Sequence, residues 1–239
     1  MTPERLAFFN RVFDNRQTTL TVVNDGIHKQ QNLSAVMRTC DAFGVSDLHR
    51  VFDRRAARTF RGTALGSQKW LNIHTYKSTR EALVPLKEQG MQIIVTHLSD
   101  DSKHYREIDY TVPTAIVLGN EKTGVSEDAI ELADHCVTIP MYGAVESFNV
   151  SVAAAIILSE AERQRVDKGM YGERTLDPEV AERIMFEISQ PTLAQYCKER
   201  GIAFPPLNEH GELDNATEWI ERIRNVRKNK LQLHPKDSQ

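Results

Sequence analysis

Residues 116–130 read IVLGNEKTGVSEDAI, and this stretch indicates the class of fold. An apolar, β-branched run ends at Gly119, a polar loop extends to Gly124, and Ser126 begins a helical pattern. In α/β proteins, a loop that joins a strand to the N-terminus of a helix often binds a phosphate or another polar ligand. The stretch therefore predicts a strand, loop and helix in succession, with the loop as a candidate ligand site.

The same alternation of short β-branched runs and helical patterns recurs from residue 18 to residue 167. It predicts an α/β fold in which a mostly parallel sheet carries helices on both faces. The predicted strands lie at 19–23, 47–52, 71–76, 91–98, 114–119 and 136–141, and the predicted helices lie near 32–44, 78–90, 126–135 and 151–166.

The chain divides by composition into three parts. Residues 1–17 predict a short basic helix with Thr2 as the N-cap and Pro3 in the first helical position. Residues 18–167 form the α/β region. Residues 168–239 contain charged, helix-forming sequence with no candidate strand, so we expect a C-terminal helical extension, with Asp177 and Pro178 starting one of its helices.

Composition excludes several classes of protein. The chain is 40% hydrophobic and 26% charged, with a formal net charge of -3, as in an ordinary globular protein. No apolar run approaches the roughly 20 residues that span a membrane, and the N-terminus does not resemble a signal sequence, so we expect a cytoplasmic protein without a membrane partner. The three cysteines are scattered and no histidine pair has ligand spacing, so we expect no metal site.

The loop after Gly119 lacks the signature of a common nucleotide site. Gly119 and Gly124 have the spacing of the two P-loop glycines, but Val125 stands where that motif requires lysine. The chain also contains no G-x-G-x-x-G motif, which argues against a dinucleotide site. In isolation the loop is also compatible with ordinary turn chemistry.

A second loop of similar construction follows a predicted strand. It runs from Pro140 to Asn149, contains Glu146 and Ser147, and leads directly into a helix rich in small residues. Because the two loops leave the same edge of a parallel sheet, we expect them to converge on one crevice.

A third segment, NLSAVMRTCDAFGV at 32–45, predicts a helix with Asn32 as its N-cap and Gly44 just beyond its end. The apolar residues of this helix share one face, and Arg38 points away from it. Two interpretations remain open at this stage: Arg38 is a solvated surface residue, or it faces an anionic substrate or a second protein surface.

Together, the segments at 32–45, 116–126 and 139–156 resemble the three motifs of the SpoU family of RNA ribose 2'-O-methyltransferases, within the SPOUT superfamily. The resemblance spans residues 18–167 and is strongest to the TrmH branch, which acts on guanosine 18 in the D-loop of tRNA. It implies a deep trefoil knot, an S-adenosylmethionine cofactor, a tRNA partner and a homodimer in which Arg38 reaches the cofactor of the neighbouring subunit.

The resemblance also assigns the site residues. Those implied for catalysis are Arg38, Asn32, Glu121, Ser147 and Asn149, and those implied for cofactor binding are Thr96, Gly119, Ile139, Met141 and Phe148. For Ile139 and Phe148, ordinary core packing is an equal alternative. The family's proposed base is Arg38, but a charged guanidinium has no acceptor atom, so we favour an electrostatic role in which phosphate or water takes the proton.

Three basic clusters are candidates for RNA binding, although each is also compatible with a merely solvated surface. They comprise Arg11 and Arg16; Arg54, Arg55, Arg58 and Arg61; and Arg222, Arg224, Arg227, Lys228 and Lys230. The alternatives to a tRNA enzyme are an rRNA 2'-O-methyltransferase of the same family and a non-catalytic RNA-binding SPOUT protein. Only a short helix precedes the α/β region, which favours tRNA over rRNA.

Overall fold

A computed structural model describes residues 1–51, 66–99, 101–120, 122–215 and 217–221. Its centre is a seven-stranded sheet in the order β3-β2-β1-β6-β4-β7-β5, in which all pairings are parallel. The strands are β1 (Gln17–Asp25), β2 (Val45–Val51), β3 (Asn72–Tyr76), β4 (Gln92–Thr96), β5 (Lys103–His104), β6 (Thr114–Leu118) and β7 (His135–Thr138). The predicted parallel α/β sheet is confirmed, and β5 is a strand that the sequence did not reveal.

The helices are α1 (Pro3–Asp14), α2 (Gln30–Ala42), α3 (Thr79–Glu88), α4 (Glu127–Leu132), α5 (Val150–Asp167), α6 (Pro178–Ser189) and α7 (Pro191–Arg200). Side-chain caps fix several of their starts, because a cap satisfies a backbone N–H that has no partner within the helix. Thr2 accepts a hydrogen bond from the backbone N–H of Arg5, and Ser78, Ser126, Asn149 and Asp177 cap α3, α4, α5 and α6.

The sheet buries an apolar core on each face. On one face Val22 packs in a cluster with residues of α2 and α5, and on the other Val23 packs in a cluster with residues of α3 and α4. Neighbouring residues of β1 point to opposite faces, as the pleat of a strand requires. The alternation of strand and helix in the sequence thus corresponds to a sheet covered on both sides.

The chain separates into two compact units. Of the described residues, those between 11 and 176 form the larger unit, which contains the whole sheet, whereas residues 1–10 and those between 177 and 221 form the smaller unit. Within the smaller unit, Phe186 of α6 stacks on Phe204 at 4.6 Å between ring centroids. The divisions predicted from the sequence lie at residues 17 and 167, whereas in the structure residues 11–17 and 168–176 belong to the larger unit.

Two of the described arginines are buried within the larger unit. Arg165, at the end of α5, is fully buried and donates hydrogen bonds to Gln17, to both oxygens of Thr19, and to the carbonyls of Tyr110 and Val112, at 2.9 to 3.3 Å. Burial lowers the pKa of Arg165 to about 10. Its donors tie the last turn of α5 to the start of β1.

Arg16 corrects one prediction. Arg16 was predicted to belong to the N-terminal helix and to contact RNA, but α1 ends at Asp14 and Arg16 is only 1% exposed. Its guanidinium donates to the Val45 carbonyl at 3.0 Å and pairs with Asp41 at 2.6 Å. Because a buried charge must be paired, this side chain is held in the fold and is not available to a phosphate.

A polar cluster lies on β2 and β3. His49 is 5% exposed, stacks on His74 at 4.8 Å between ring centroids, and lies 3.1 Å from the Tyr76 hydroxyl. Asp47 accepts hydrogen bonds from His74 and Asn72. Burial, aided by the charge of His74, lowers the pKa of His49 to about 4, so the folded protein resists protonation of this ring.

Among the described residues, no helix is long and apolar enough to cross a membrane, and no group of three or more His, Cys, Asp or Glu side chains could hold a metal ion. Cys40 and Cys197 are buried and Cys136 is partly buried, all as free thiols.

Candidate active site

A cleft of about 320 Å³ opens at the carboxyl ends of β4, β6 and β7. Its walls come from the strand ends and from the two loops that follow β6 and β7. The described residues that line it are Thr96, His97, Leu98, Leu118, Gly119, Asn120, Gly124, Val137, Thr138, Ile139, Met141, Glu146, Ser147, Phe148, Val150 and Ala153. The two loops therefore converge at one crevice, where parallel α/β folds bind ligands.

The loop after β6 requires glycine at its first position. A Cβ atom built on Gly119 would lie 2.4 Å from the carbonyl carbon of Gly124 and 2.5 Å from the nitrogen of Val125. The two ends of the loop are this close because Asn120 and Gly124 exchange backbone hydrogen bonds, each 2.9 Å long. Gly124 has a φ of +71°, which favours glycine. This tight turn forms one wall of the cleft.

A buried carboxylate anchors the same loop to the end of β1. Asp25 accepts a hydrogen bond from the backbone N–H of Ser126 at 2.7 Å and another from the Thr79 hydroxyl at 2.6 Å. The side chain of Asn120 donates to the Gly26 carbonyl at 2.7 Å. These contacts join β1, α3 and the start of α4, and they hold the loop against the sheet.

The second loop ends in a polar bridge between two of the predicted catalytic residues. Asn149 caps α5 by accepting hydrogen bonds from the backbone N–H and hydroxyl of Ser151, and its amide group donates to the side-chain oxygen of Asn32 at 3.1 Å. The prediction that Asn32 is the N-cap of α2 is wrong. The helix starts at Gln30, after Lys29, and Asn32 lies inside it with 9% exposure.

The structure brings most of the predicted site residues together. Ser147 lines the cleft, as do all five residues predicted to bind the cofactor: Thr96, Gly119, Ile139, Met141 and Phe148. Thr96 also donates from its hydroxyl to the Val117 carbonyl at 3.0 Å, which fixes its side chain at the strand end. Glu121 lies outside the described residues.

Arg38 does not line the cleft of its own chain. It is exposed on α2 and has no hydrogen-bond or ion-pair partner among the residues that the structure describes. The outward orientation that the sequence indicated is thus observed, whereas a contact with the cofactor of a second subunit stays a prediction.

The predicted RNA-binding clusters are described only in part. Arg11 is exposed on α1, while Arg16 is buried as reported above. The remaining members lie outside the described residues, namely Arg54, Arg55, Arg58, Arg61, Arg222, Arg224, Arg227, Lys228 and Lys230.

Several residues that line the cleft received no individual role from the sequence, among them His97, Leu98 and Glu146. His97 and Leu98 directly follow Thr96 at the end of β4, and Glu146 directly precedes Ser147. Their adjacency to assigned residues was the available signal, but a sequence does not show which side of a loop faces inward.

Comparison with known proteins identifies close relatives. The model of the SpoU rRNA Methylase family matches residues 19–159, and that of its C-terminal region, described as "SpoU, rRNA methylase, C-terminal", matches residues 163–216. The chain is 44% identical over 221 residues to the tRNA (guanosine(18)-2'-O)-methyltransferase of Escherichia coli strain K12, an alignment that covers 92% of this chain and 96% of the relative.

The comparison with solved structures also finds SpoU-type enzymes. A TrmH/SpoU tRNA modifying enzyme from A. aeolicus superposes with a TM-score of 0.68 at 39% identity, over 84% of this chain and 98% of that one. The SpoU methyltransferase AviRb from Streptomyces viridochromogenes, in complex with the cofactor AdoMet, superposes with a TM-score of 0.53 at 26% identity, over 64% of this chain and 62% of that one.

Proposed function

Because the chain belongs to the SpoU methylase family, we propose that it transfers a methyl group from S-adenosylmethionine to the ribose 2'-hydroxyl of guanosine 18 in the D-loop of tRNA. The observation that carries this proposal is the 44% identity to a tRNA (guanosine(18)-2'-O)-methyltransferase over 96% of that enzyme's length. A match of this extent favours tRNA over the rRNA substrates of the wider family, and it favours a catalyst over a non-catalytic RNA-binding protein. The proposal includes a cytoplasmic location for the reaction.

The cleft has the properties that S-adenosylmethionine requires. Leu118, Ile139, Met141 and Phe148 supply apolar surface for the adenosyl group, and the backbone of the loops supplies hydrogen-bonding groups. The missing side chain of Gly119 lets two backbone segments approach each other at the wall of the cleft. When bound, this cofactor supplies an electrophilic methyl group on a positively charged sulfur.

The residues of the chain position the ribose and assist loss of its proton. Methyl transfer is an in-line displacement, so the hydroxyl must be aligned with the methyl group as the new C–O bond forms and the C–S bond breaks. Ser147 lines the cleft and can hydrogen-bond the ribose, while the bridge between Asn149 and Asn32 fixes the loop that carries Ser147. Glu121 is proposed to pair with an arginine of the site.

The cation of the site comes from a second copy of the chain. Among the described residues of the cleft there is no lysine or arginine, yet a positive charge near the 2'-hydroxyl would lower its pKa. Arg38 is exposed and without a partner in the described part of its own chain, so it is free to reach a neighbouring subunit. We therefore propose a homodimer in which Arg38 lies at the partner's cofactor, and in which phosphate or water takes the proton.

RNA docking is assigned to Arg11 and to the basic clusters at 54–61 and 222–230. Lysine and arginine that neutralise phosphates hold an RNA in register without reading its sequence. The basic residues support the proposed RNA binding because they are numerous and are grouped in the sequence.

The proposed function is tested by incubating the purified protein with a labelled methyl donor and unmodified tRNA, then mapping the product by nuclease digestion. We expect one labelled nucleotide, 2'-O-methylguanosine at position 18. A matched tRNA with 2'-deoxyguanosine at that position should accept no label, because the nucleophile is absent. Label on a base, label at another position, or labelling of 23S rRNA in preference to tRNA would contradict the assignment.

A further inference from the structure

The charges that line the cleft are few. Of its described lining residues, Glu146 is the only carboxylate, and His97 is the only other ionisable side chain. Glu146 is exposed and has no hydrogen-bond or ion-pair partner in the described part of the chain. In the loop it lies between Met141 and Phe148, both of which line the cleft. A cation bound there would therefore meet one uncompensated negative charge.

The two forms of the cofactor differ in charge. S-Adenosylmethionine carries a positive sulfonium, whereas S-adenosylhomocysteine, which remains after the methyl group has left, has a neutral sulfur in the same place. The rest of the molecule is unchanged. A carboxylate on the wall of the cleft attracts the positively charged sulfur of the first form and has no such attraction for the neutral sulfur of the second, and the apolar walls of the cleft reduce screening by water.

We propose that Glu146 is a specificity-determining residue that makes the cleft prefer the cationic methyl donor over its neutral product. This inference rests on the proposed function only in taking S-adenosylmethionine as the cofactor. It gives the loop after β7 two tasks, because Ser147 and Asn149 serve the ribose while Glu146 serves the sulfonium. It also favours exchange of product for fresh donor after each turnover.

Binding measurements on the full-length protein without RNA test the proposal. Isothermal titration calorimetry compares three ligands: S-adenosylmethionine, an analogue with a protonated amine in place of the sulfonium, and S-adenosylhomocysteine. The proteins are the wild type, Glu146→Gln, Glu146→Asp and Glu88→Gln. Glu88 is an exposed carboxylate at the end of α3 and does not line the cleft, so it controls for the loss of any one negative charge.

For Glu146→Gln we expect the affinities for both cationic ligands to fall about five- to tenfold, as for one partly solvated charge pair. Its affinity for S-adenosylhomocysteine should stay within about twofold of the wild type. Glu146→Asp and Glu88→Gln should keep the preference for cations. In the wild type, the preference should shrink as salt is raised, because salt screens an exposed charge.

An equal loss for all three ligands, or an unchanged ratio between cationic and neutral ligands, would overturn the role of Glu146 while leaving the proposed function intact. Slow methylation by Glu146→Gln with unchanged ligand ratios would likewise overturn it, since the carboxylate would then act on the hydroxyl proton. If the wild type bound none of the three ligands, the proposed cofactor itself would be wrong.

Discussion

Replacing Gly119 with alanine tests whether the tight turn after β6 forms the cofactor wall. The added Cβ would lie 2.4 Å from the Gly124 carbonyl carbon, and ordinary contacts begin near 3.4 Å, so the two sides of the turn must separate by about 1 Å. Such a movement breaks both 2.9 Å hydrogen bonds between Asn120 and Gly124. At about 0.5 to 1.5 kcal/mol each, the closed turn loses about 1 to 3 kcal/mol.

If the cofactor binds only to the closed turn, the loss in affinity follows directly. A cost of about 1 to 3 kcal/mol corresponds to a dissociation constant about 5- to 150-fold higher for S-adenosylhomocysteine, measured by titration calorimetry. The matched control is Gly143→Ala in the facing loop, where an added Cβ meets no atom within 4 Å and φ is not positive. We expect this control to bind like the wild type. Equal affinities for Gly119→Ala and the wild type would refute the steric argument.

Two further predictions concern stability. In Arg165→Met, the free energy of unfolding measured with urea should fall by about 3 to 5 kcal/mol, because several buried acceptors lose their donor. The control is Arg163→Met, which removes a side chain that is 59% exposed and should lower the free energy of unfolding by less than about 1 kcal/mol. Similar losses for both variants would argue against the buried network. Because burial lowers the pKa of His49 to about 4, the unfolded chain binds a proton near pH 6.5 that the folded chain does not bind until pH 4. Stability should therefore fall by up to about 3 kcal/mol between pH 7 and 4, and His49→Gln should remove that part of the slope in pH-dependent unfolding.

Local sequence patterns were sufficient to predict six of the seven described strands of the sheet. The runs that became β1 and β6 are apolar and β-branched because these strands are buried on both faces, and such runs stand out between helical patterns. β5 contains only Lys103 and His104, which pair with β7. Two polar residues have no periodicity, so nothing local could indicate this strand.

The contacts that anchor the site were beyond local patterns. Asp25 holds Thr79 and Ser126, which lie 54 and 101 positions further along the chain, and no spacing rule links residues so far apart. The contact of Asn32 could not be predicted from local patterns either. An asparagine near the start of a helix is usually a cap, but here its partner is the side chain of Asn149, 117 positions away. Similarly, Arg16 looked like a surface residue because its ion-pair partner, Asp41, belongs to another element.

The polar groups that line the cleft or support its loops fall into two kinds, and the difference explains how the site can be both rigid and reactive. Asp25 and Asn32 are buried, and their hydrogen-bonding partners are supplied by the fold, so they fix the positions of the loops before any ligand arrives. Glu146 and Ser147 are exposed and have no side-chain partner among the described residues, so their hydrogen-bonding capacity remains available to a ligand. A catalyst needs both kinds. A loosely held loop does not keep the reacting groups aligned, and a side chain whose hydrogen bonds are all made within the fold cannot form new ones to the transition state. Substitutions at the first kind should therefore impair ligand binding and stability together, whereas substitutions at the second should change ligand preference or turnover while the unfolding free energy stays constant.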